Sequence, residues 1–121
     1  MVINKTANIS KVIVLKTALG IYRLFPKDIL YFEAANKEIL VIWSDVTKAP
    51  LKLSISIGRC EVLLGNHAFL RIHRSYIVNR SHIFYFNFTE SYVTLYGEKT
   101  LSIARNRRKL MAEWLLEEGK K

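Results

Sequence analysis

The side chains best suited to bind another molecule are concentrated between residues 69 and 79. In this stretch apolar residues alternate with polar ones, so an extended segment would bury one face and expose Arg71 and His73 on the other. Arg74 and Ser75 fall where the alternation changes, as expected where a chain leaves a strand. An arginine held outward on an anchored loop can form paired hydrogen bonds to a phosphate or to the edge of guanine.

Catalytic and metal-binding interpretations of the same region are weaker. Ser75 is close to His73, as a nucleophile is to its base, but no carboxylate is near in sequence to orient the histidine. His67, His73 and His82 could bind a metal, yet Cys60 is the single cysteine and the spacings fit no zinc pattern. We therefore expect no enzymatic activity, no metal and no cofactor. Cys60 is predicted to be a reduced structural thiol, and His82 a structural or surface residue.

The charge balance favours a polyanionic partner. The chain has 19 Lys and Arg against 10 Asp and Glu, a net charge of +9 at pH 7. Such a surplus suits nucleic acid or an anionic membrane face, although a merely basic protein is the alternative. The longest apolar run, from Ile39 to Trp43, is far shorter than the roughly 20 residues that span a bilayer. The first residues do not form a signal peptide, and these features predict a cytoplasmic protein.

Short strands and turns account for most of the chain. Because the connections are short, the strands are expected to pair antiparallel, about nine or ten in all. Residues 1–10 are predicted to be a flexible N-terminal segment. Ser56 is the predicted N-cap of a short helix that ends at Gly65. Outside the stretch described first, the predicted strands are residues 11–16, 21–25, 29–33, 39–43, 51–55, 83–88, 92–96 and 100–104.

The predicted C-terminal helix runs from Asn106 to about Glu118, and its charges oppose the helix dipole. Cations crowd its start and carboxylates its end, and each such charge costs about 0.3–1 kcal/mol when partly exposed. Free amides at a helix start, together with cations, would bind phosphate. The alternative is that the cations are solvated or paired elsewhere. The predicted buried face consists of Leu110, Met111, Trp114 and Leu115, and the cations are Arg105, Arg107, Arg108 and Lys109.

Residues 83–88 form a strongly aromatic segment. Aromatic side chains occupy consecutive positions, and this pattern predicts a strand buried between two sheets. The alternative is a stacking platform for single-stranded nucleic acid. The aromatic residues are Phe84, Tyr85, Phe86 and Phe88.

The central stretch, FLRIHRSYIVN at residues 69–79, resembles the signature segment of the LytTR-type DNA-binding domain, the output domain of many bacterial response regulators. Three further segments agree with it: residues 28–34, His82 with Ile83, and residues 100–106. The resemblance extends from about Lys11 to Leu110 and implies one domain over residues 11–118. The fold it implies, in agreement with the pattern above, is mainly β: an elongated stack of small, largely antiparallel β-sheets with one short helix and a C-terminal helix.

The same resemblance implies a bacterial transcription regulator of the two-component type that reads the major groove of double-stranded DNA. Loops, not a recognition helix, would carry the base-directed residues. By correspondence these are Lys37 in the turn at residues 36–38, Arg74 after the central histidine, and Arg105 before the C-terminal helix. Asn36 and Glu38 are the alternatives to Lys37. The full set of candidate DNA-binding residues is Lys37, Arg71, His73, Arg74, Arg105, Asn106, Arg107, Arg108 and Lys109.

The resemblance also implies the partners. These are double-stranded DNA with an imperfect direct repeat, a second protomer on the same face of a bent duplex, and a receiver domain or sensor partner, with no membrane. His73 contacts DNA or supports its loop, and Asn79 is predicted to be a capping or turn residue. The alternative functions are a single-stranded nucleic acid or RNA-binding module and a protein-interaction domain.

Overall fold

The computed structural model describes residues 12–65 and 68–119, which contain ten strands and two α-helices. These residues also contain 3-10 turns at Pro26–Asp28, Arg80–His82 and Arg105–Arg107. The elements are β1 (Ile13–Lys16), β2 (Ile21–Leu24), β3 (Ile29–Ala35), β4 (Glu38–Trp43), β5 (Leu51–Leu53), α1 (Ile57–Leu64), β6 (Phe69–His73), β7 (Tyr76–Asn79), β8 (Ile83–Asn87), β9 (Tyr92–Leu95), β10 (Thr100–Ser102) and α2 (Arg108–Gly119).

The strands form three antiparallel sheets. β1 pairs with β2, the largest sheet has the order β5-β4-β3-β7-β6, and the third has the order β10-β9-β8. Every pairing in them is antiparallel. Most join strands that are consecutive in the chain, whose connections are too short for the crossover that parallel strands require, and the β3–β7 pairing joins strands far apart in sequence. The prediction of a mainly β, antiparallel fold with two helices is confirmed.

The five-stranded sheet is the middle layer, since its central strand is buried on both faces. Ile29, Leu30, Tyr31 and Phe32 of β3 are each at most 5 % exposed. In a sheet covered on one face only, consecutive residues of a strand would alternate between buried and exposed. Apolar layers must therefore cover both faces of this sheet. The first four residues of β3 accordingly form a continuous buried run.

One covering layer consists of the β1–β2 hairpin and α1. Ile13 and Leu15 of β1 and Cys60 of α1 are fully buried against Phe32 and Ile77 of the middle sheet. The opposite face is covered by the β8–β10 sheet and α2, where the core consists chiefly of Leu30, Tyr31, Ile72, Val78, Val93, Leu95, Leu101 and Met111. The hairpin and α2 therefore pack on opposite faces of the same sheet.

Several predicted boundaries are corrected. β3 continues to Ala35 and β4 begins at Glu38, so a two-residue turn replaces the five residues between the predicted strands at 29–33 and 39–43. β5 ends at Leu53 and not at residue 55. The predicted helix start at Asn106 is wrong: Arg105–Arg107 form a 3-10 turn, and the α-helix begins at Arg108 and includes Gly119. Leu110 is 45 % exposed and does not belong to the buried face, whereas Met111 is fully buried.

The prediction that the aromatic strand is buried between two sheets is wrong for part of β8. Phe84 is 65 % and Tyr85 48 % exposed. β8 is an edge strand of the three-stranded sheet, and a register shift between Ile83 and Tyr85 interrupts its pairing with β9. Phe86 packs partly buried against the core. Only one face of this sheet meets the middle layer, so the residues of the other face remain in solvent.

The predicted capping residues are confirmed. The Ser56 hydroxyl accepts a hydrogen bond from the Arg59 N–H at 3.1 Å, and Gly65 ends α1 with a φ of 54°, which glycine tolerates. The Asn79 side chain caps the following 3-10 turn by accepting from the Ser81 N–H at 3.0 Å. Residues 1–10 and His67 lie outside the described residues.

Cys60 is a buried structural thiol, as predicted. It is free and fully buried within α1. Burial, with a smaller contribution from the carboxylate of Glu61, raises the pKa of this thiol to about 12. The thiolate needed for nucleophilic or metal chemistry is therefore strongly disfavoured.

Candidate nucleic-acid interface

The turn between β3 and β4 exposes a lysine. Ala35 pairs with Glu38, so Asn36 and Lys37 alone make the turn. Asn36 has a φ of 62°, a conformation that asparagine tolerates better than most residues. The Glu38 carboxylate is engaged across the sheet, 3.8 Å from the Lys52 amine and 3.2 Å from a donating Ser54 hydroxyl. Lys37 is exposed and is the cation that this turn presents.

The turn between β6 and β7 exposes Arg74. His73 pairs with Tyr76, which leaves Arg74 and Ser75 as the turn. The Ser75 N–H donates to Nδ1 of His73 at 3.1 Å, and the imidazole packs 5.3 Å from the Tyr76 ring. His73 thus supports the loop from within it, and its ring proton must be on Nε2 for Nδ1 to accept.

Arg71 braces the same turn from below. Its Nη2 donates to the carbonyl oxygen of Arg74 at 2.9 Å, and its Nε donates to that of His73 at 3.4 Å. Its Nη1 lies 3.2 Å from Oε1 of Glu61 on α1. The Arg71 guanidinium therefore links α1 to the turn. Since its Nε, Nη1 and Nη2 donors are all engaged, few of them remain for an external ligand.

The segment before α2 exposes a second arginine. Arg105 is exposed, and its carbonyl oxygen accepts from Nε of Arg108 at 3.3 Å. Nη1 of Arg108 also donates to the carbonyl oxygen of Phe88 at 3.2 Å, which ties this segment to the β8–β9 loop. Asn106 and Lys109 are exposed and Arg107 is half-buried. Arg108 is thus engaged within the protein, whereas Arg105, Asn106 and Lys109 are exposed to solvent.

The predicted amide clamp at the helix start is only partly available. The Arg107 N–H donates to the Ala104 carbonyl oxygen at 2.8 Å, and the Arg108 N–H donates to that of Arg105. The 3-10 turn therefore satisfies two of the amides that an ideal helix start would leave free. Anion binding here depends more on the side chains than on the backbone.

Two backbone hydrogen bonds bring the three exposed segments together. The Ala34 N–H, at the end of β3, donates to the Ser75 carbonyl oxygen at 2.9 Å. The Ala104 N–H, just before the 3-10 turn, donates to the Ile72 carbonyl oxygen of β6 at 2.8 Å. The first bond places the β3–β4 turn beside the β6–β7 turn, and the second places the segment before α2 against the outer side of β6.

Each cation lies close to one of these bonds in the chain. Lys37 is three residues after Ala34, Arg74 two after Ile72, and Arg105 one after Ala104. All three are exposed. The ion pairs found within residues 12–65 and 68–119 are Lys52–Glu38 and Arg71–Glu61, so none of the three cations is neutralised there. We call this edge, defined by Lys37, Arg74 and Arg105, the cationic edge.

Comparison with protein families identifies the relationship. The family model of the LytTr DNA-binding domain matches residues 20–116. The chain belongs to the LytTr DNA-binding domain family. A solved structure with the same fold, described as the LytTr DNA-binding domain of a methyl-accepting/DNA response regulator from Bacillus cereus, has a TM-score of 0.68 and 23 % identity, covering 87 % of this chain and 96 % of that one. No curated protein matches the chain.

Sequence reasoning missed the residues that hold the cationic edge of this LytTr domain in place. Glu61 anchors Arg71, and the Phe88 carbonyl anchors Arg108. Neither partner has a sequence signal, because each contact depends on how α1 or the β8–β9 loop packs. The excess of cations among residues 105–109 did indicate the region, but not which of its arginines is engaged internally.

No three His, Cys, Asp or Glu side chains among residues 12–65 and 68–119 lie close enough to hold a metal ion. Nε2 of His82 is 3.3 Å from the Lys27 carbonyl oxygen, a structural contact. None of the described helices has both the length and the apolar character needed to cross a bilayer.

Proposed function

We propose that this LytTr domain binds double-stranded DNA in a sequence-specific manner and reads the major groove from the cationic edge. The observation that carries the proposal is the pair of hydrogen bonds from Ala34 to Ser75 and from Ala104 to Ile72. They join three turns, each with an exposed cation, along one edge. Because the backbone of these turns is already hydrogen-bonded to its neighbours, less conformational entropy is lost on binding.

The cations divide by their internal contacts. Arg74 and Arg105 present uncommitted guanidinium groups, which suit the O6 and N7 atoms of guanine, each bidentate pair being worth roughly 1–3 kcal/mol of discrimination. Lys37 completes base contact from the first turn. Asn106, Arg107 and Lys109 hold phosphates and set the register. Arg71, His73 and Arg108 act mainly as positioning residues, since their polar atoms are engaged within the protein.

The corresponding biological role is that of a bacterial transcription regulator of the two-component type, acting in the cytoplasm without catalysis. Electrostatic capture by the basic surface precedes base recognition. The site is an imperfect direct repeat occupied by two protomers on one face of a bent duplex, and a receiver domain or sensor partner controls binding.

A second candidate is a single-stranded nucleic acid or RNA-binding module. The exposure of Phe84 and Tyr85 on β8 favours it, since bases stack on solvent-facing aromatic rings. Against it, these rings are on the outer face of the three-stranded sheet, while the unneutralised cations follow β3, β6 and β10 at their turns.

Selection from a randomised duplex pool, followed by gel shifts across a salt series with single-stranded competitor, tests the proposal. We expect one enriched duplex motif, resistance to the single-stranded competitor and a linear fall of log K with log salt. If single-stranded DNA competes as well as the duplex does, the second candidate function, binding through the exposed aromatic rings of β8, is favoured instead. Binding without any enriched motif would reject base readout.

A further inference from the structure

The outer face of the β1–β2 hairpin is apolar and basic. Val14 pairs with Arg23, and Lys16 pairs with Ile21, and all four side chains point away from the core. Val14 is 47 % and Ile21 64 % exposed, while their neighbours Ile13 and Leu15 are fully buried. Residues 12–25 contain no carboxylate. We call Val14, Lys16, Ile21 and Arg23 the hairpin face.

One side of α2 has the opposite charge and a similar apolar content. Leu110, Glu113, Trp114 and Glu117 recur at helical spacing and line a shallow groove of about 400 Å³ together with Leu116. Leu110 is 45 % and Leu116 67 % exposed. We call the four spaced residues the α2 face.

The carboxylates of the α2 face are uncompensated within the described chain. Neither Glu113 nor Glu117 forms an ion pair with any residue in 12–65 or 68–119. Glu117 also lies in the last turn of α2, where the negative end of the helix dipole disfavours a carboxylate. The nearby cation, Arg80, stacks 4.6 Å from the Trp114 ring and donates to the Trp114 carbonyl oxygen at 3.4 Å. A basic surface from another molecule would relieve the two carboxylates.

The two faces cannot meet within one molecule. The hairpin packs on one side of the five-stranded sheet and α2 on the other. A second copy can bring its hairpin face to the α2 face of the first. Such a contact is heterologous: each copy uses a different surface, so the copies are related by a shift and not by a twofold axis.

We propose that a second copy of this chain docks its hairpin face on the α2 face, so that adjacent copies pack head to tail. Ile21 and Val14 would enter the groove beside Leu110, while Arg23 and Lys16 meet Glu117 and Glu113. Heterologous packing repeats one orientation along a line, as a direct repeat does in DNA. The inference concerns how copies associate, and its DNA arm rests on the proposed function.

The contact is small, with about four side chains on each face, and is therefore weak in solution. On DNA, two copies held on adjacent sites have a high effective concentration, and a weak contact becomes measurable as cooperativity. On a duplex with two tandem sites, we expect a copy to bind beside an already bound copy about tenfold more tightly than a copy binds a duplex with one site.

Charge-reversal variants test the contact on a duplex selected for this domain and then duplicated as a direct repeat. R23E alone and E117K alone each place like charges across the contact and are expected to abolish the cooperativity. An equimolar mixture of R23E and E117K restores opposite charges in either order of the two copies, and the cooperativity is expected to return. Arg59→Glu makes the same charge change as R23E on the exposed surface of α1 and is the matched control.

The outcomes separate the two proposals. If the wild type binds the single-site duplex no better than a scrambled duplex, the proposed function is overturned. Normal single-site binding without cooperativity in the wild type would overturn the head-to-tail contact alone. Cooperativity that survives R23E, or that the mixture fails to restore, would also overturn it, and so would equal loss in Arg59→Glu.

Discussion

Nη2 of Arg71 donates to the carbonyl oxygen of Arg74 at 2.9 Å, while Nη1 of the same guanidinium pairs with Glu61 at 3.2 Å. One arginine is thus held against α1 and in turn holds the backbone of the other. The side chain of Arg74 remains exposed. Two arginines three residues apart therefore have different roles: Arg71 supports the turn, and the exposed Arg74 is the one that we propose contacts DNA.

Arg71→Met tests the supporting task. We expect weaker binding to the cognate duplex, because the turn loses its brace, with no change in the slope of log K against log salt, because Arg71 holds no phosphate. A salt series of gel shifts measures both quantities. A slope reduced by about 0.9 would instead make Arg71 a phosphate ligand. Glu61→Gln, which weakens the anchor and keeps the arginine, should show a smaller loss of the same kind.

Arg74→Ala tests base readout. Removing a bidentate contact to guanine should reduce discrimination between cognate and scrambled duplex by about 1–3 kcal/mol, while binding to the scrambled duplex changes less. Parallel titrations of the two duplexes measure this. Arg59→Ala, another exposed arginine, is the control for loss of charge. An equal loss on both duplexes would contradict base readout.

Lys109→Ala tests phosphate contact. The exposed lysine should contribute equally to any sequence, so binding to cognate and scrambled duplex should weaken together and the salt slope should fall by up to about 0.9. Lys99→Ala removes an exposed lysine from the β9–β10 turn and should leave the slope unchanged. If Lys109→Ala leaves it unchanged too, Lys109 is not a phosphate ligand.

Asn79→Ala tests the hydrogen bonds by which Asn79, at the end of β7, holds the chain around the 3-10 turns at residues 26–28 and 80–82. Asn79 is 2 % exposed, and its amide donates to the carbonyl oxygens of Pro26 at 2.9 Å and Ile29 at 2.8 Å. Alanine leaves both carbonyls and the Ser81 N–H without this partner, so the free energy of unfolding should fall by about 2–4 kcal/mol. Urea denaturation measures it. A loss below about 0.5 kcal/mol would mean that water replaces the amide.

The raised pKa of Cys60 predicts a pH dependence of the free energy of unfolding. Burial raises its pKa from 9.0 to about 12, so above pH 9 the unfolded thiol loses its proton before the folded one does. The stabilisation is complete below pH 9 and falls by about 1.4 kcal/mol per pH unit above it. The difference in free energy of unfolding between wild type and Cys60→Ala should narrow accordingly. A constant difference from pH 8 to pH 10.5 would contradict the raised pKa.

Local patterns predicted most of the fold. Alternation in β6, the caps at Ser56 and Asn79, and the short connections indicated antiparallel strands because these features act between near neighbours in sequence. The aromatic segment failed for a reason that no local pattern contains. Whether Phe84 and Tyr85 are buried depends on which strand is at the sheet edge and which face another layer covers.

The sequence by itself determined the basic charge, the class of fold and the resemblance that named Lys37, Arg74 and Arg105 as one set. Only the tertiary structure decided that they share an edge, because the bonds from Ala34 to Ser75 and from Ala104 to Ile72 join segments far apart in the chain. It also decided that Arg71 and Arg108 are engaged inside the protein. Arginines look alike in a sequence, and only their neighbours in space determine which guanidinium is left to bind a ligand.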